Sequence, residues 1–398
     1  MLAKTRRKLQ AEYGWSYPGS VLHLDFVNKR HRFRNSVFPA VDILTCARAS
    51  NKFAVNSNAL IETFGNNVLS ITDLGCLIER AATNNALWSR DMTQAAWTPT
   101  NVTVAQTATG IDGTANSATT LTSTAGNGTV LQSVTLGSAA YAYGVWLKRI
   151  SGSGNIQITI DNGTTWATKT LTTSWRYFSV TKSAANPVIG IRIVTSGDSI
   201  AADYSQLEAG TGATSPILTT TGTASRNSDA VSFKVQGVLN PFEGSVLIDV
   251  FAPFGWNETS TVNPFTTYVT SANMLRLQLG SGVNFRFDSW SNNVEATAAG
   301  LFGFNVTGGS RYRCGASWGS GTQIIAGCAF GGGNFGTASQ SFTPPISTPF
   351  THFSLYGEED TNWANLFVRQ FIVTPTRLDL GALSTWCRSS SVSGGAGG

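Results

Sequence analysis

At 398 residues the chain is longer than one hydrophobic core usually supports, so its length predicts two or three domains. Only 12% of its residues are charged, and the formal charge of +5 has a local origin. Residues 1–34 hold eight basic and two acidic side chains, whereas the remainder holds 19 basic and 20 acidic ones. The chain therefore lacks the broad basic face of a nucleic-acid-binding protein, and no nucleic-acid partner is predicted.

The first 85 residues are predicted to form a basic arm and an attachment region. Residues 1–14 are compatible with a short basic helix or with a disordered arm that folds on a partner. The fragments "SVLHLDFV" and "FPAVDIL" alternate apolar and polar residues, which predicts short half-buried strands. The cations assigned to attachment on an acidic protein surface are Lys4, Arg6, Arg7, Lys8, Arg30, Arg32 and Arg34.

No export or membrane segment is expected. The basic N-terminus is followed by no apolar run of the signal-peptide kind, and no stretch approaches the roughly 18 apolar residues of a membrane span. The five cysteines form no CxxC pair, which indicates neither a zinc site nor a disulfide framework. We therefore expect a protein made in the cytoplasm, without membrane insertion.

Residues 86–225 are predicted to form a β-sandwich. Alternating segments such as "GTVLQSVTLG", "AYAYGVWLKRI", "GNIQITIDNG" and "VIGIRIVTSGDSI" recur between turn residues. The Thr/Gly/Ser-rich passage "EAGTGATSPILTTTGTASRNSDA" that follows has the composition of a linker.

A second sandwich is predicted for residues 226–390, from segments such as "EGSVLIDVFAP", "MLRLQLGSGVNFRFDSW" and "LFVRQFIVTP". The segment "RLDLGALSTWC" predicts one or two helical turns, and residues 391–398 a flexible tail. The predicted fold class is all-β, with tandem β-sandwiches after a short N-terminal region.

Three segments carry a resemblance to a known class of proteins: "CARAS" at 46–50, "LGCLIERAATNNALWSRDMTQAAWT" at 74–98 and "SQLEAGTGATSPILTTTGTASRNSDAVSF" at 205–233. In order and spacing they resemble bacteriophage and prophage virion proteins of the tail-fibre, tail-tip or head-decoration type. Arg80 stands where that class usually has Pro and Cys76 where it has Leu, which we interpret as local changes within one turn.

The resemblance implies a jelly-roll carbohydrate-binding-like module followed by a concanavalin-A-like or laminin-G-like domain. It also implies a virion subunit, commonly a homotrimer, that contacts capsid, portal or tail proteins and host surface polysaccharide. Two alternatives stay open: a purely architectural decoration or cement protein, and a capsule depolymerase.

Exposed aromatic side chains are the candidates for sugar contact, because sugar rings stack on them. The tryptophans near turn-like polar text are Trp166, Trp256, Trp290, Trp318 and Trp363, and these are the predicted carbohydrate-binding residues. Trp146 and Trp175 lie in strand-like text, and at least one of them is expected in the core.

No enzyme is predicted. The acids of "YGEED", Glu358, Glu359 and Asp360, are adjacent, so they do not share one face of a strand as a glycosidase pair would. The three histidines are dispersed. No cofactor is expected. Asp161, Asp203 and Glu208 offer oxygen ligands for a structural calcium ion as the alternative, although an Asx turn explains Asp161 more economically.

Overall fold

The computed structural model describes residues 16–234, 237–253, 262–279, 284–301, 308–329, 335–344, 350–355 and 365–389. The strands of the N-terminal part are β1 (Leu22–Asp25), β2 (Arg30–Phe33), β3 (Ser36–Val37), β4 (Leu44–Ala47), β5 (Lys52–Val55), β6 (Ile61–Phe64), β7 (Ile71–Thr72), β8 (Gly75–Ile78) and β9 (Ala82–Asn84). They are interrupted by the short helix α1 (Ala40–Ile43).

The middle of the chain forms β10 (Thr98–Thr100), β11 (Val102–Ala108), β12 (Ala118–Ser123), β13 (Gly128–Ser133), β14 (Ala139–Ser151), β15 (Ile156–Thr159), β16 (Ala167–Lys169), β17 (Arg176–Ala184), β18 (Val188–Ile193) and β19 (Ser199–Ala209).

The remaining elements are β20 (Ala224–Arg226), β21 (Ala230–Phe233), β22 (Gly244–Phe251), β23 (Val262–Thr270), β24 (Asn273–Leu279), β25 (Asn284–Ser291), β26 (Val294–Leu301), β27 (Arg311–Gly319), β28 (Thr322–Ala329), β29 (Phe335–Ser341), β30 (His352–Ser354), β31 (Leu366–Thr374) and helix α2 (Leu380–Arg388).

The first sandwich contains two five-stranded antiparallel sheets, in the orders β10-β13-β18-β15-β16 and β11-β12-β19-β14-β17. Its core is almost entirely hydrocarbon, because alternate residues of the strands point inward from both sheets. Leu121, Val145, Ile158 and Ile191 are among its buried members. The alternating segments predicted from the sequence correspond to β13, β14, β15, β17 and β18, whereas β10, β11, β12, β16 and β19 were not predicted from it.

The second sandwich pairs a sheet in the order β29-β28-β27-β22-β31-β1-β2-β3, joined by β7 and β8, with a sheet in the order β26-β25-β24-β23-β30-β21-β4. Strand β22 is buried on both faces. Val246 and Ile248 face the core between the sheets, whereas Leu247 packs under α2 beside Leu383. This double burial explains why Val246, Leu247 and Ile248 are apolar in succession, without the alternation of a half-exposed strand. The predicted all-β class with tandem sandwiches is confirmed.

The N-terminal segment does not form the separate attachment region that the sequence predicted. Strand β1 pairs with β31, and β4 pairs with β21, so described residues within 1–85 complete the sheets of the second sandwich. Leu22 and Leu24 lie in the same core as Phe371. The predicted boundary at residue 85 therefore does not separate two structural units, because strand pairing joins segments that are far apart in the chain.

Two local predictions also change. The fragment "FPAVDIL" does not form one strand: Pro39 precedes α1, whose Ala40 and Ile43 are buried one turn apart, and β4 starts only at Leu44. The predicted linker is not a free linker, since β20 pairs with β9 and both Arg226 and Asp229 are buried. The predicted helical turns near the C-terminus are confirmed as α2, where the Asp379 side chain accepts a hydrogen bond from the backbone N–H of Ala382 at 2.7 Å.

Candidate functional site

A cleft lies where the first sandwich, the second sandwich and the segments joining them meet. The space between its lining residues is about 450 Å³ when the open solvent at its mouth is included. Its lining combines apolar, aromatic and polar side chains from all three parts: Val55, Leu77, Glu79, Trp146, Tyr177, Ala213, Thr214, Ser215, Pro216, Pro253, Asn365 and Phe367. A mostly apolar wall with a few polar groups is the usual composition of a small-ligand site.

Neighbouring strands of the first sandwich supply two of the three aromatic side chains of the cleft, and the third is Phe367 on β31. Trp146 on β14 stands opposite Tyr177 on β17 in the antiparallel register, with ring centroids 5.4 Å apart and planes tilted by 57°. Gly144 lets the tyrosine lie close to β14, because a Cβ at that position would collide with the Tyr177 hydroxyl. The strand pairing thus fixes both rings on the same outer face of the sheet.

Three polar atoms of the lining have no hydrogen-bond partner among the described residues: Nε1 of Trp146, the hydroxyl of Tyr177 and Oδ1 of Asn365. Trp146 is 6% exposed and Asn365 is 3% exposed. Buried polar groups are normally paired, because an unpaired one loses its hydration without compensation. The cleft therefore offers two donors and an acceptor to a ligand.

The Tyr177 phenol stays protonated. Burial raises its pKa well above the usual value of 10.0, and the nearby carboxylates of Glu208 and Glu79 raise it further. The hydroxyl is therefore available as a hydrogen-bond donor at any physiological pH.

Glu79 is held as a carboxylate at the edge of the cleft. Its oxygens accept hydrogen bonds from the backbone N–H of Ser215 at 2.7 Å and from the Ser215 hydroxyl at 2.6 Å. Lys52 and Arg226 each lie 3.2 Å from it. Burial alone would raise the pKa of Glu79, but the two cations and Ser215 outweigh it and lower this pKa to about 2.

Beneath the cleft, buried ions join segments that are distant in sequence. Asp229 accepts a hydrogen bond from Nη1 of Arg48 at 2.5 Å, a second from the Lys52 ammonium, and a third from the backbone N–H of Glu79 at 2.9 Å. Lys52 also donates to the Leu77 carbonyl oxygen at 2.8 Å. We call Arg48, Lys52, Glu79, Arg226 and Asp229 the junction cluster; each of them is almost fully buried.

A second ion pair lies beside this cluster. Nη2 of Arg80 lies 3.2 Å from the Glu208 carboxylate and donates to the Gly212 carbonyl oxygen at 2.6 Å. The Arg80 side chain therefore contacts residues of the first sandwich, whereas Cys76 lies within strand β8. The interpretation of both positions as changes within one turn was wrong. The three segments that carry the phage resemblance converge here, which sequence spacing alone did not indicate.

The β5–β6 hairpin covers part of the outer sheet face next to the cleft. Phe53, Val55 and Ile61 of the hairpin pack against a cluster that includes Trp175 and Tyr204. Trp146 and Trp175 are both buried, as expected for at least one of them. The aromatic side chain that sequence reasoning missed is Tyr177, whose position depends on strand register.

The five predicted sugar-binding tryptophans are not brought together. Trp318 is fully buried and its Nε1 donates to the Asn240 carbonyl oxygen at 2.9 Å, so its predicted exposure was wrong. Its strand is buried on both faces despite the polar residues around it. Trp166 and Trp290 are half-buried, each under a guanidinium, with Arg192 at 4.3 Å and Arg276 at 4.5 Å from the ring centroids. Trp256 and Trp363 lie outside the described residues.

The other predicted site residues have separate environments. Arg30 pairs with Asp25 at 3.5 Å, Arg32 donates to the Ser20 carbonyl oxygen at 2.5 Å, and Arg34 is exposed. Lys4, Arg6, Arg7 and Lys8, and the acids Glu358, Glu359 and Asp360, lie outside the described residues.

The three carboxylates considered as calcium ligands each have a cationic partner. Asp161 binds Lys182, Asp203 lies 2.8 Å from Nε of Arg90, and Glu208 pairs with Arg80. Across the part of the chain that the structure describes, no group of three or more His, Cys, Asp or Glu side chains is arranged to hold a metal ion. In the same part, no helix is long and apolar enough to cross a membrane.

No family model and no curated protein matches the sequence. Among solved structures, the chain is similar to the N-terminal CBM22-1-CBM22-2 tandem domain of Xyn10C from Paenibacillus barcinonensis, at 11% identity and a TM-score of 0.25. That similarity covers 76% of this chain and 97% of the other. Domains LG4-5 of the mouse laminin alpha1 chain are similar at 8% identity and a TM-score of 0.23, covering 77% of this chain and 90% of theirs.

Proposed function

We propose that the chain is a glycan-binding structural protein that takes a sugar ring in the cleft between its two sandwiches. The observation that carries the proposal is the pairing of the Trp146 and Tyr177 rings, whose Nε1 and hydroxyl have no hydrogen-bond partner among the described residues, as is also true of Oδ1 of Asn365. The apolar C–H face of a sugar packs on aromatic rings, and its hydroxyl groups both donate and accept hydrogen bonds. A sugar ring therefore suits both kinds of group in this lining.

The proposed role is binding and not cleavage. Among the described lining residues the one carboxylate is that of Glu79, and the cations and Ser215 around it lower its pKa to about 2. A general acid for glycoside cleavage needs a raised pKa so that it carries a proton near neutral pH. Glu79 is thus unsuited to donate a proton, and its two oxygens are already engaged with Ser215, Lys52 and Arg226.

The proposed setting is a bacteriophage particle, as a tail fibre, tail tip or head decoration. This assignment rests on the resemblance of residues 46–50, 74–98 and 205–233 to virion proteins. In a homotrimer, three weak sugar sites would act together, because binding at one site raises the effective concentration of the polysaccharide at the other two. Antibody labelling of purified particles in electron micrographs is expected to mark a projecting appendage, and unlabelled particles would count against the virion assignment.

Glycan binding is tested with the labelled full-length chain on arrayed bacterial surface polysaccharides. Tyr177→Phe keeps the ring and removes one hydroxyl donor, so we expect binding to weaken about fivefold, in line with the loss of one hydrogen bond. Asn365→Ala should weaken the same interaction. Urea unfolding midpoints of both variants establish that they fold.

Tyr141→Phe is the matched control. The Tyr141 hydroxyl donates to the Gly137 carbonyl oxygen at 2.8 Å within the first sandwich, and Tyr141 does not line the cleft. Its removal is expected to leave glycan binding unchanged. If the wild-type chain binds no polysaccharide, a purely architectural role becomes the better proposal. If Tyr141→Phe weakens binding as much as Tyr177→Phe, the chain binds glycan but the cleft is not the site.

A further inference from the structure

An exposed apolar strip lies along the edge of the larger sheet of the second sandwich. The side chains that form it are close together in the chain: Val37 is 52% exposed, Phe38 is 37% exposed and Val41 is 56% exposed. Strand β3 is the last strand in the described order of that sheet. Val37 lies in this edge strand, Phe38 follows it and Val41 lies in α1, so three exposed apolar side chains occur within five residues of the chain. Exposed apolar groups of this kind mark protein interaction sites.

Two cations flank this strip. Arg34 lies in the turn between β2 and β3, beside Val37, whose backbone pairs with Arg32. Lys29 directly precedes β2 and so lies at the other end of that strand. Because β3 is antiparallel to β2, the chain after Val37 runs toward this end. Both are exposed, and neither is in an ion pair among the described residues, while the Arg34 guanidinium lies over the Phe33 ring at 5.1 Å from its centroid. One carboxylate, that of Asp42 next to Val41, is also exposed here, so the two cations outnumber it.

The neighbouring arginines differ from these two cations. Arg30 pairs with Asp25, and Arg32 is held by Ser20 and by the Arg34 carbonyl oxygen, so their positive groups already have protein partners. Lys29 and Arg34 both have positive φ, at 54° and 53°. These values place both residues in the left-handed backbone region that tight turns use.

We propose that Lys29, Arg34, Val37, Phe38 and Val41 form a docking surface, which we call the basic edge, for a protein that presents carboxylates around an apolar patch. Charge complementarity identifies the partner: exposed cations without counter-ions favour an acidic surface, and the apolar strip between them favours a protein over a simple polyanion. The basic edge does not contain any residue of the cleft. Placing the partner within a phage particle rests on the proposed function, whereas the surface itself does not.

The test measures binding of the full chain to a fluorescent peptide of alternating Glu and Leu, by anisotropy at low ionic strength. Arg34→Glu is expected to weaken binding about tenfold, and the difference should shrink as salt screens the charges. Val41→Ser leaves every charge in place and is expected to weaken binding several-fold. Arg176→Glu, at an exposed arginine of the first sandwich, changes the net charge equally and should leave binding unchanged.

Any of three other outcomes would contradict the proposal that the basic edge is a docking surface for a protein. Equal losses for Arg34→Glu and Arg176→Glu would mean that only net charge matters. An unchanged Val41→Ser would remove the apolar part of the surface, and tighter binding of a single-stranded DNA oligonucleotide than of the peptide would replace the protein partner by a nucleic acid. Polysaccharide binding of Arg34→Glu is measured in parallel, because retained glycan binding with lost peptide binding separates this surface from the cleft.

Discussion

The core of the first sandwich and the junction cluster bury their residues in different ways. The core holds aliphatic side chains such as Leu121, Ile158 and Ile191, which interact through non-directional contacts. The junction cluster buries three cations and two carboxylates that must meet particular atoms. Hydrocarbon packing tolerates small changes of shape, whereas a buried ion tolerates no loss of its counter-ion. We therefore expect the core to supply stability and the junction cluster to set how the segments are joined.

The largest effect is expected from Asp229→Asn, which changes almost no volume. It removes the counter-charge of Arg48 and one of the two carboxylates beside Lys52, and both cations are almost fully buried. Breaking a buried ion pair in this way costs about 3–5 kcal/mol of unfolding free energy. Urea unfolding followed by tryptophan fluorescence measures the loss. Asp42→Asn, at an exposed position, is the control and should change stability by less than about 0.5 kcal/mol; a similarly small loss in Asp229→Asn would show that the cluster is not essential.

An intermediate effect is expected from mild acid, and it should act on the second sandwich. Burial lowers the pKa of His23 from 6.5 to about 3, with further lowering by Arg32, and burial lowers that of His31 to about 4. Between these pKa values the two histidines are protonated in the unfolded chain and neutral in the folded chain. The free energy of unfolding is therefore greatest above pH 6.5 and falls as the pH drops toward 3. His23 alone should account for roughly 2 kcal/mol between pH 6.5 and pH 5.

Urea unfolding at pH 7.5, 6 and 5 measures this acid effect. Nδ1 of His23 accepts a hydrogen bond from the backbone N–H of Tyr17 at 3.0 Å, a bond that an asparagine oxygen can replace. His23→Asn should therefore flatten the pH dependence while the fold is retained. The first sandwich contains no histidine between residues 86 and 225, so a fall in stability that is as steep in His23→Asn as in the wild type would place the acid sensitivity elsewhere.

The smallest effect is expected in the hydrocarbon core. Ile158→Val removes one methylene group from a fully buried position and should cost about 1 kcal/mol. The unfolding free energies of Ile158→Val and Asp229→Asn should be measured under the same conditions. Their difference compares hydrocarbon packing with buried ion pairing directly, because the core variant loses a carbon atom and the junction variant loses only a charge. A larger loss for Ile158→Val than for Asp229→Asn would reverse the comparison.

Local sequence pattern was sufficient for much of the fold. The two-residue alternation in "AYAYGVWLKRI" and "LFVRQFIVTP" predicts β14 and β31, and the text "RLDLGALSTWC" predicts α2. Strands such as β11 and β29 were missed, since most of their side chains are only partly buried or exposed and their apolar alternation is weak. The candidate site was missed almost entirely: Trp146 was considered only as one of two tryptophans of which at least one was expected in the core, and Tyr177 was not considered as a site residue.

The sequence by itself determined the all-β class, the existence of two sandwiches and the absence of a broad basic face, because strand periodicity and charge are properties of neighbouring residues. Only the tertiary structure decided that Arg48 meets Asp229 across 181 positions, that β1 joins β31, and that Trp318 is buried. These facts depend on which distant strands pair and in what register. A one-residue shift in register would move Tyr177 to the other face of its sheet, which is why local pattern cannot specify the cleft.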